Sequence, residues 1–130
     1  KFNDTYGHLF GDLVLRTLSG YIKKTLRKED IFGRYGGEEF VILMPYTSLE
    51  QAKEKAEDLR IGASQLVITD RLITASIMIS VGVSTYPHTA GNPHELISSA
   101  DDALYDAKRS GRNLVRVAKT RDNSTNKKNV

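Results

Sequence analysis

The chain has 130 residues, no cysteine, and 19 lysines and arginines against 16 aspartates and glutamates, a net charge of +3. That length suits one domain burying about two-thirds of its unfolded surface, and the missing cysteines exclude disulfides and thiolate metal sites. Lys119, Arg121, Lys127 and Lys128 against Asp122 hold all the excess charge, and the longest apolar run is only Phe40 to Met44, so neither a basic face for a nucleic acid polymer nor membrane contact by a spanning helix is expected.

In chain order, Asn3-Asp4 reads as an opening turn, after which Asp12 caps a helix running to about Leu26. Val14, Leu15, Leu18, Tyr21, Ile22 and Leu26 form its apolar stripe. Gly20 weakens that helix by about 1 kcal/mol relative to alanine, which points to a close packing contact there. Apolar, β-branched and aromatic runs over 31–35 and 40–44 flank Gly36-Gly37, the pattern of a tight hairpin whose turn uses the positive φ that glycine accepts. The second strand is apolar on both faces, so a covered, interior place in the sheet is expected.

Ser48 and Gln51 make a capping box for a second helix that buries Leu49, Ala52, Ala56 and Leu59 and ends near Gly62. Strands follow over 66–69 and 73–86, the latter interrupted near Ala75-Ser76 or by a bulge, with 79–84 as its core piece. Asn92, Pro93 and Glu95 supply cap, first-turn proline and returning glutamate of a last helix. Leu96, Ala100, Ala103, Leu104 and Ala107 are its buried stripe, Gly111 stops it, and 114–117 is a closing strand. Helices interleaved with strands, plus an antiparallel hairpin, give an α/β fold with a mixed sheet covered by helices. The tail, 118–130, is polar and aperiodic, and disorder is expected for it.

The hairpin tip carries two adjacent carboxylates, Glu38 and Glu39, beside bare glycine backbone. A hard divalent cation bearing phosphates requires such a setting. Gly-Gly-Glu alone is more often a solvated turn, but the whole pentapeptide Gly36-Gly37-Glu38-Glu39-Phe40 arises by chance in about one in ten thousand chains this long. It resembles the signature of the GGDEF family, the bacterial diguanylate cyclases, in its GGEEF form. Four further stretches agree in order and spacing: Asn3-Asp4-Thr5-Tyr6-Gly7-His8 with Gly11-Asp12; Arg27-Lys28-Glu29-Asp30; Ser80-Val81-Gly82-Val83; and Ala100-Asp101 followed by Ala103-Leu104-Tyr105-Asp106-Ala107-Lys108 and Gly111-Arg112-Asn113. The resemblance covers Lys1 to about Val117.

It implies a nucleotidyl-cyclase, palm-like domain over 1–117, of α/β (α+β) class, with a mixed, largely antiparallel central sheet flanked by helices. The activity implied is condensation of two GTP into cyclic di-GMP with release of pyrophosphate, dependent on Mg2+ or Mn2+ and on two domains facing each other in a homodimer. Glu38 and Glu39 match the catalytic, metal-holding carboxylates. Adjacent side chains on an extended strand point to opposite faces, so both serve one ion only where the turn bends between them. Asn3 and Asp12 match the guanine-reading pair, and His8 a further nucleotide contact. Lys108 and Arg112 match the triphosphate-binding cations, although basic residues at a helix C-terminus also complement its dipole. Arg27 and Asp30 match an R-x-x-D product-inhibition site for cyclic di-GMP. The arginine that often joins that site from the next helix aligns here with Asp58, with Arg60 two residues on.

The family's Asp-x-Asp strand and a lysine, expected just before Asn3, are not in this sequence. The chain is therefore expected to lack the first strand of the sheet and an aspartate metal ligand, and to be poorly active by itself. An upstream sensor or receiver domain is expected to drive it, in the cytoplasm, within a parent that is soluble or membrane-anchored. The rival reading is a non-catalytic domain that binds GTP or cyclic di-GMP; the joint presence of Glu38, Glu39, Asn3, Asp12, Lys108 and Arg112 weighs against it.

Overall fold

The structure, a computed structural model, describes residues 2–121, with side chains from Leu9 onward, Ile73 excepted. These residues divide into two compact units: residues up to Thr47 together with Ile61–Met78, and Ser48–Arg60 together with residues from Ile79 on.

The first unit begins with α1 (Phe2–Thr25), which buries Leu18 and Ile22 and packs against β3 (Val67–Asp70). This corrects the expected opening turn at Asn3-Asp4 and the cap at Asp12, which lies in mid-helix. Gly7 and Gly11 cost about 1 kcal/mol each, which is not enough to break a helix that propagates cooperatively and buries an apolar stripe.

After α1 comes a hairpin of β1 (Ile31–Arg34) and β2 (Phe40–Leu43), antiparallel with Phe32 opposite Ile42 and Arg34 opposite Phe40. Phe32 and Phe40 are diagonal neighbours on one face, and their rings stack at 5.2 Å and 26°. The connection is not a primed two-residue turn. It spans residues 35–39, closed by the Tyr35 amide donating to Glu39 O at 2.8 Å, and neither Gly36 nor Gly37 adopts a left-handed φ. Nor is β2 interior: β1 is its sole partner among the described residues, and Leu43 is 44% exposed.

The capping box forms as expected. The Ser48 amide donates to Gln51 Oε1 at 3.0 Å and the Gln51 amide to Ser48 Oγ at 3.1 Å, starting α2 (Leu49–Ser64). This helix runs two residues past Gly62, which is a packing position where an added Cβ would collide with Tyr21 Oη. The close contact expected at Gly20 is absent, since nothing lies within 4 Å of a Cβ built there. β3 pairs antiparallel with β4 (Ile73–Ser76), ending where the long run was expected to break.

The second unit is a parallel pair, β5 (Val81–Val83) and β6 (Val115–Val117), joined by α3 (Pro93–Arg109), which packs against both strands. Parallel strands require such a crossover. Asn92 is the N-cap, accepting from the Glu95 amide at 2.9 Å; Glu95 reaches back one residue further than expected, to the Gly91 amide at 2.7 Å. Ala103 and Ala107 are buried. At Gly82 an added Cβ would strike Ala100 O and the Leu104 amide nitrogen, both main-chain atoms of α3. The chain stays attached past β6: the Ala118 amide donates to Val83 O at 2.7 Å and the Arg121 amide to His88 O at 2.9 Å. The fold is α/β as expected, but its strands form three two-stranded sheets in place of one central sheet. Among the described residues no strand has two partners to join the pairs.

Candidate active site

The loop between β1 and β2 presents Glu38 exposed and Glu39 half-buried. Nothing approaches a Cβ built on Gly36 or Gly37, so the backbone beside the carboxylates is open to a bulky ligand. The loop is nonetheless held. Arg34 Nε donates to Gly36 O at 3.3 Å and Gly37 O at 3.1 Å, and its Nη2 donates to Gly37 O as well. The Gly37 carbonyl shares its peptide plane with the Glu38 amide, so this grip sets the direction from which the Glu38 side chain departs. No sequence rule indicates that an arginine folds back over a glycine pair, and Arg34 was not foreseen.

Beside the hairpin, α1 closes a cleft of about 440 Å3. Leu15 and the stacked Phe32 and Phe40 supply apolar walls, and Arg16, Lys23 and Arg34 supply positive charge. Rings with cations nearby suit an aromatic anion such as a nucleotide. Asp12 stands on α1 with its carboxylate 3.3 Å from Arg16 Nε, both side chains well exposed. The side chains of Asn3 and His8 lie outside the described residues.

Arg27 and Asp30 are brought together tightly. The Arg27 amide donates to Asp30 Oδ2 at 2.8 Å and Nη2 to Asp30 Oδ1 at 2.8 Å. The same Nη2 reaches Pro45 O at 3.0 Å and Thr47 Oγ1 at 2.7 Å. The Asp30 hydrogen bond is the main cause of a raised Arg27 pKa, and the Asp30 side chain has no exposure at all. This pair ties the end of α1 to the segment after β2, besides any ligand it could take. Arg27→Ala is therefore expected to lower the melting temperature, because it takes the guanidinium and its charge away from a buried carboxylate. Calorimetry checks this, and an unchanged Tm would show that the clamp contributes nothing.

Lys108 and Arg112 belong to the second unit, at the end of α3 and just after it. Arg112 is exposed with a left-handed φ of 63°, and Lys108 is half-buried. Asp58 is exposed on α2, whereas Arg60 is engaged with Glu57 and with Asn113 Oδ1 at 3.1 Å.

The family model described as "Diguanylate cyclase, GGDEF domain" matches residues 1–114. The chain belongs to the GGDEF family. The probable diguanylate cyclase DgcT of Escherichia coli K12 is 40% identical over 119 residues, 90% of this chain and 26% of the relative. The active GGEEF domain of a diguanylate cyclase from Vibrio cholerae superposes with a TM-score of 0.80 at 32% identity, covering 92% of this chain and 75% of that one. The GGDEF domain of DgcB from Caulobacter crescentus, solved in complex with c-di-GMP, gives 0.79 at 33% identity over 92% and 69%. The chain thus spans about a quarter of the length of the curated E. coli relative.

Among the described residues of this GGDEF domain, no three His, Cys, Asp or Glu side chains gather to hold a metal ion. The two carboxylates of the GGEEF loop still fit one class of site. Mg2+ usually takes one or two carboxylates and completes its shell with water and substrate phosphates. The donor set is all oxygen, hard and anionic, as that ion prefers.

Proposed function

We propose that this domain, over residues 1–117, condenses two molecules of GTP into cyclic di-GMP, as the output part of a longer signalling protein. The observation that supports this reading best is the Glu38-Glu39 pair on an open loop pinned by Arg34, in a chain of the diguanylate cyclase family.

The 3′-hydroxyl oxygen of each GTP attacks the α-phosphorus of the other. The bond from that phosphorus to the β-phosphate oxygen breaks, pyrophosphate leaves, and the hydroxyl proton is lost. Glu38 and Glu39 would hold Mg2+ or Mn2+, which when bound neutralises the triphosphate and activates the hydroxyl. Asp12 accepts from guanine N1–H and N2–H, and the Asn3 amide pairs with a remaining base atom. His8 is a further nucleotide contact. Lys108 and Arg112 neutralise phosphate charge. One bound GTP per domain leaves a lone copy with a single reactant, so the active form is a homodimer.

Base selection provides the test. Adenine has an acceptor at N1 and no amino group at C2, so against Asp12 it leaves the carboxylate without its donors, and a site built to hydrogen-bond a substrate group rejects an analogue lacking that group by orders of magnitude. GTP turnover by the full-length protein is expected to exceed ATP turnover by at least about a hundredfold, measured by pyrophosphate release with either metal. Comparable rates would remove the base-reading role of Asp12 and Asn3.

A further inference from the structure

Three consecutive residues after α3 hold left-handed backbone: Gly111 at φ 122°, Arg112 at 63° and Asn113 at 52°. Glycine does so freely and asparagine tolerates it, but arginine gains nothing from it locally. Such a turn persists only where its surroundings over-determine it. Here it is gripped at three points. The Arg112 amide donates to Ala107 O at 3.0 Å, the Asn113 amide donates to Ser80 Oγ at 3.1 Å, and Arg60 Nη1 donates to Asn113 Oδ1 at 3.1 Å.

Arg60 is itself immobilised. Its Nε donates to Glu57 Oε1 at 2.8 Å and its Nη2 reaches the same oxygen. That bond raises the arginine's pKa and lowers the glutamate's. Glu57, Arg60, Ser80 and Asn113 all lie in one compact unit with Arg112. The grip uses the Arg112 backbone and leaves its guanidinium at the surface. A right-handed residue at this position would send the side chain in another direction.

We infer that Arg60, acting through Asn113, is a positioning residue that aims Arg112 at an anionic ligand. The inference rests on the triphosphate role proposed for Arg112 and adds the device that sets its direction. A sequence reading treats Arg60 as a neighbour of Asp58 and Asn113 as the end of a motif. The structure joins the two across 53 positions.

A double-mutant cycle in the full-length protein tests it, with GTP as the probe and kcat/KM as the readout. Arg60→Ala and Arg112→Ala are each expected to lower kcat/KM about tenfold or more, since misplacing a binding group by about 1 Å costs up to about a hundredfold. The double variant should fall no further than Arg112→Ala alone, because nothing is left to aim. Multiplicative losses would overturn the inference, as would a silent Arg60→Ala beside a damaging Arg112→Ala. A silent Arg112→Ala, or a wild type that turns over no GTP, would instead defeat the underlying reading and this inference with it. Should Arg60→Ala fail to fold, Asn113→Gly runs the same cycle. Glycine keeps the left-handed backbone and deletes only the grip.

Discussion

Glu38→Gln in the full-length protein is expected to lower kcat for cyclic di-GMP formation by about a thousandfold or more, with Tm little changed. The substitution is nearly isosteric, and Glu38 is exposed on a loop whose shape is set by other groups: the Tyr35–Glu39 main-chain bond and the Arg34 guanidinium. Fold stability therefore has little to lose. The chemistry has much to lose, since an amide carries no charge to hold a divalent cation against the triphosphate. Metal stabilisation of transition-state charge is worth several kcal/mol, and about 4 kcal/mol is a factor of about a thousand. Pyrophosphate release measures the rate, and nucleotide binding measured separately shows that GTP still docks. A loss below about tenfold would mean that Glu38 is not a principal ligand.

The parts of this fold readable from sequence are those governed by short-range chemistry. The Ser48–Gln51 capping box, the Asn92 cap and the break between β4 and β5 all follow from neighbouring residues, and all are present. What failed needed information from across the chain. Asp12 reads as a cap because aspartate favours that position, yet the helix continues upstream of it. Gly20 and Gly62 look alike in sequence; only the placement of Tyr21 makes one a contact and leaves the other open. β2, apolar on both faces, reads as interior in sequence, yet it keeps a free edge among the described residues. At the candidate site the acidic loop was legible from its composition. The guanidiniums that hold backbone in place, Arg34 over the glycine pair and Arg27 on the Pro45 carbonyl, were not, because a surface arginine carries no local mark of its partner.

The opposite fates of two glycines form the sharpest test of the packing. Gly82 lies on β5 against the main chain of α3, where an added Cβ would meet Ala100 O and the Leu104 nitrogen. A flexible side chain could move aside, but a helix backbone cannot without shifting as a body. Gly82→Ala must then push β5 away from α3 or distort the parallel pairing of Val81 with Val115 and Val83 with Val117. Overpacking a core costs about 1–3 kcal/mol, and with main chain on the opposing side the upper end is expected, a large share of the roughly 5–15 kcal/mol that stabilises a domain. Tm should fall by roughly 10 °C. Gly82→Val, with two more methyl groups to place, is expected to leave no cooperative unfolding transition. Gly20→Ala, in a helix interior with nothing near its Cβ, should instead raise stability by about 0.5–1 kcal/mol. Thermal and urea unfolding of the variants decide the matter, and a wild-type Tm for Gly82→Ala would show that β5 and α3 are less closely packed than the Gly82 contacts require. The Ser80–Val83 stretch then owes its glycine to how near α3 must come, and α3 is the helix whose last turn carries Lys108.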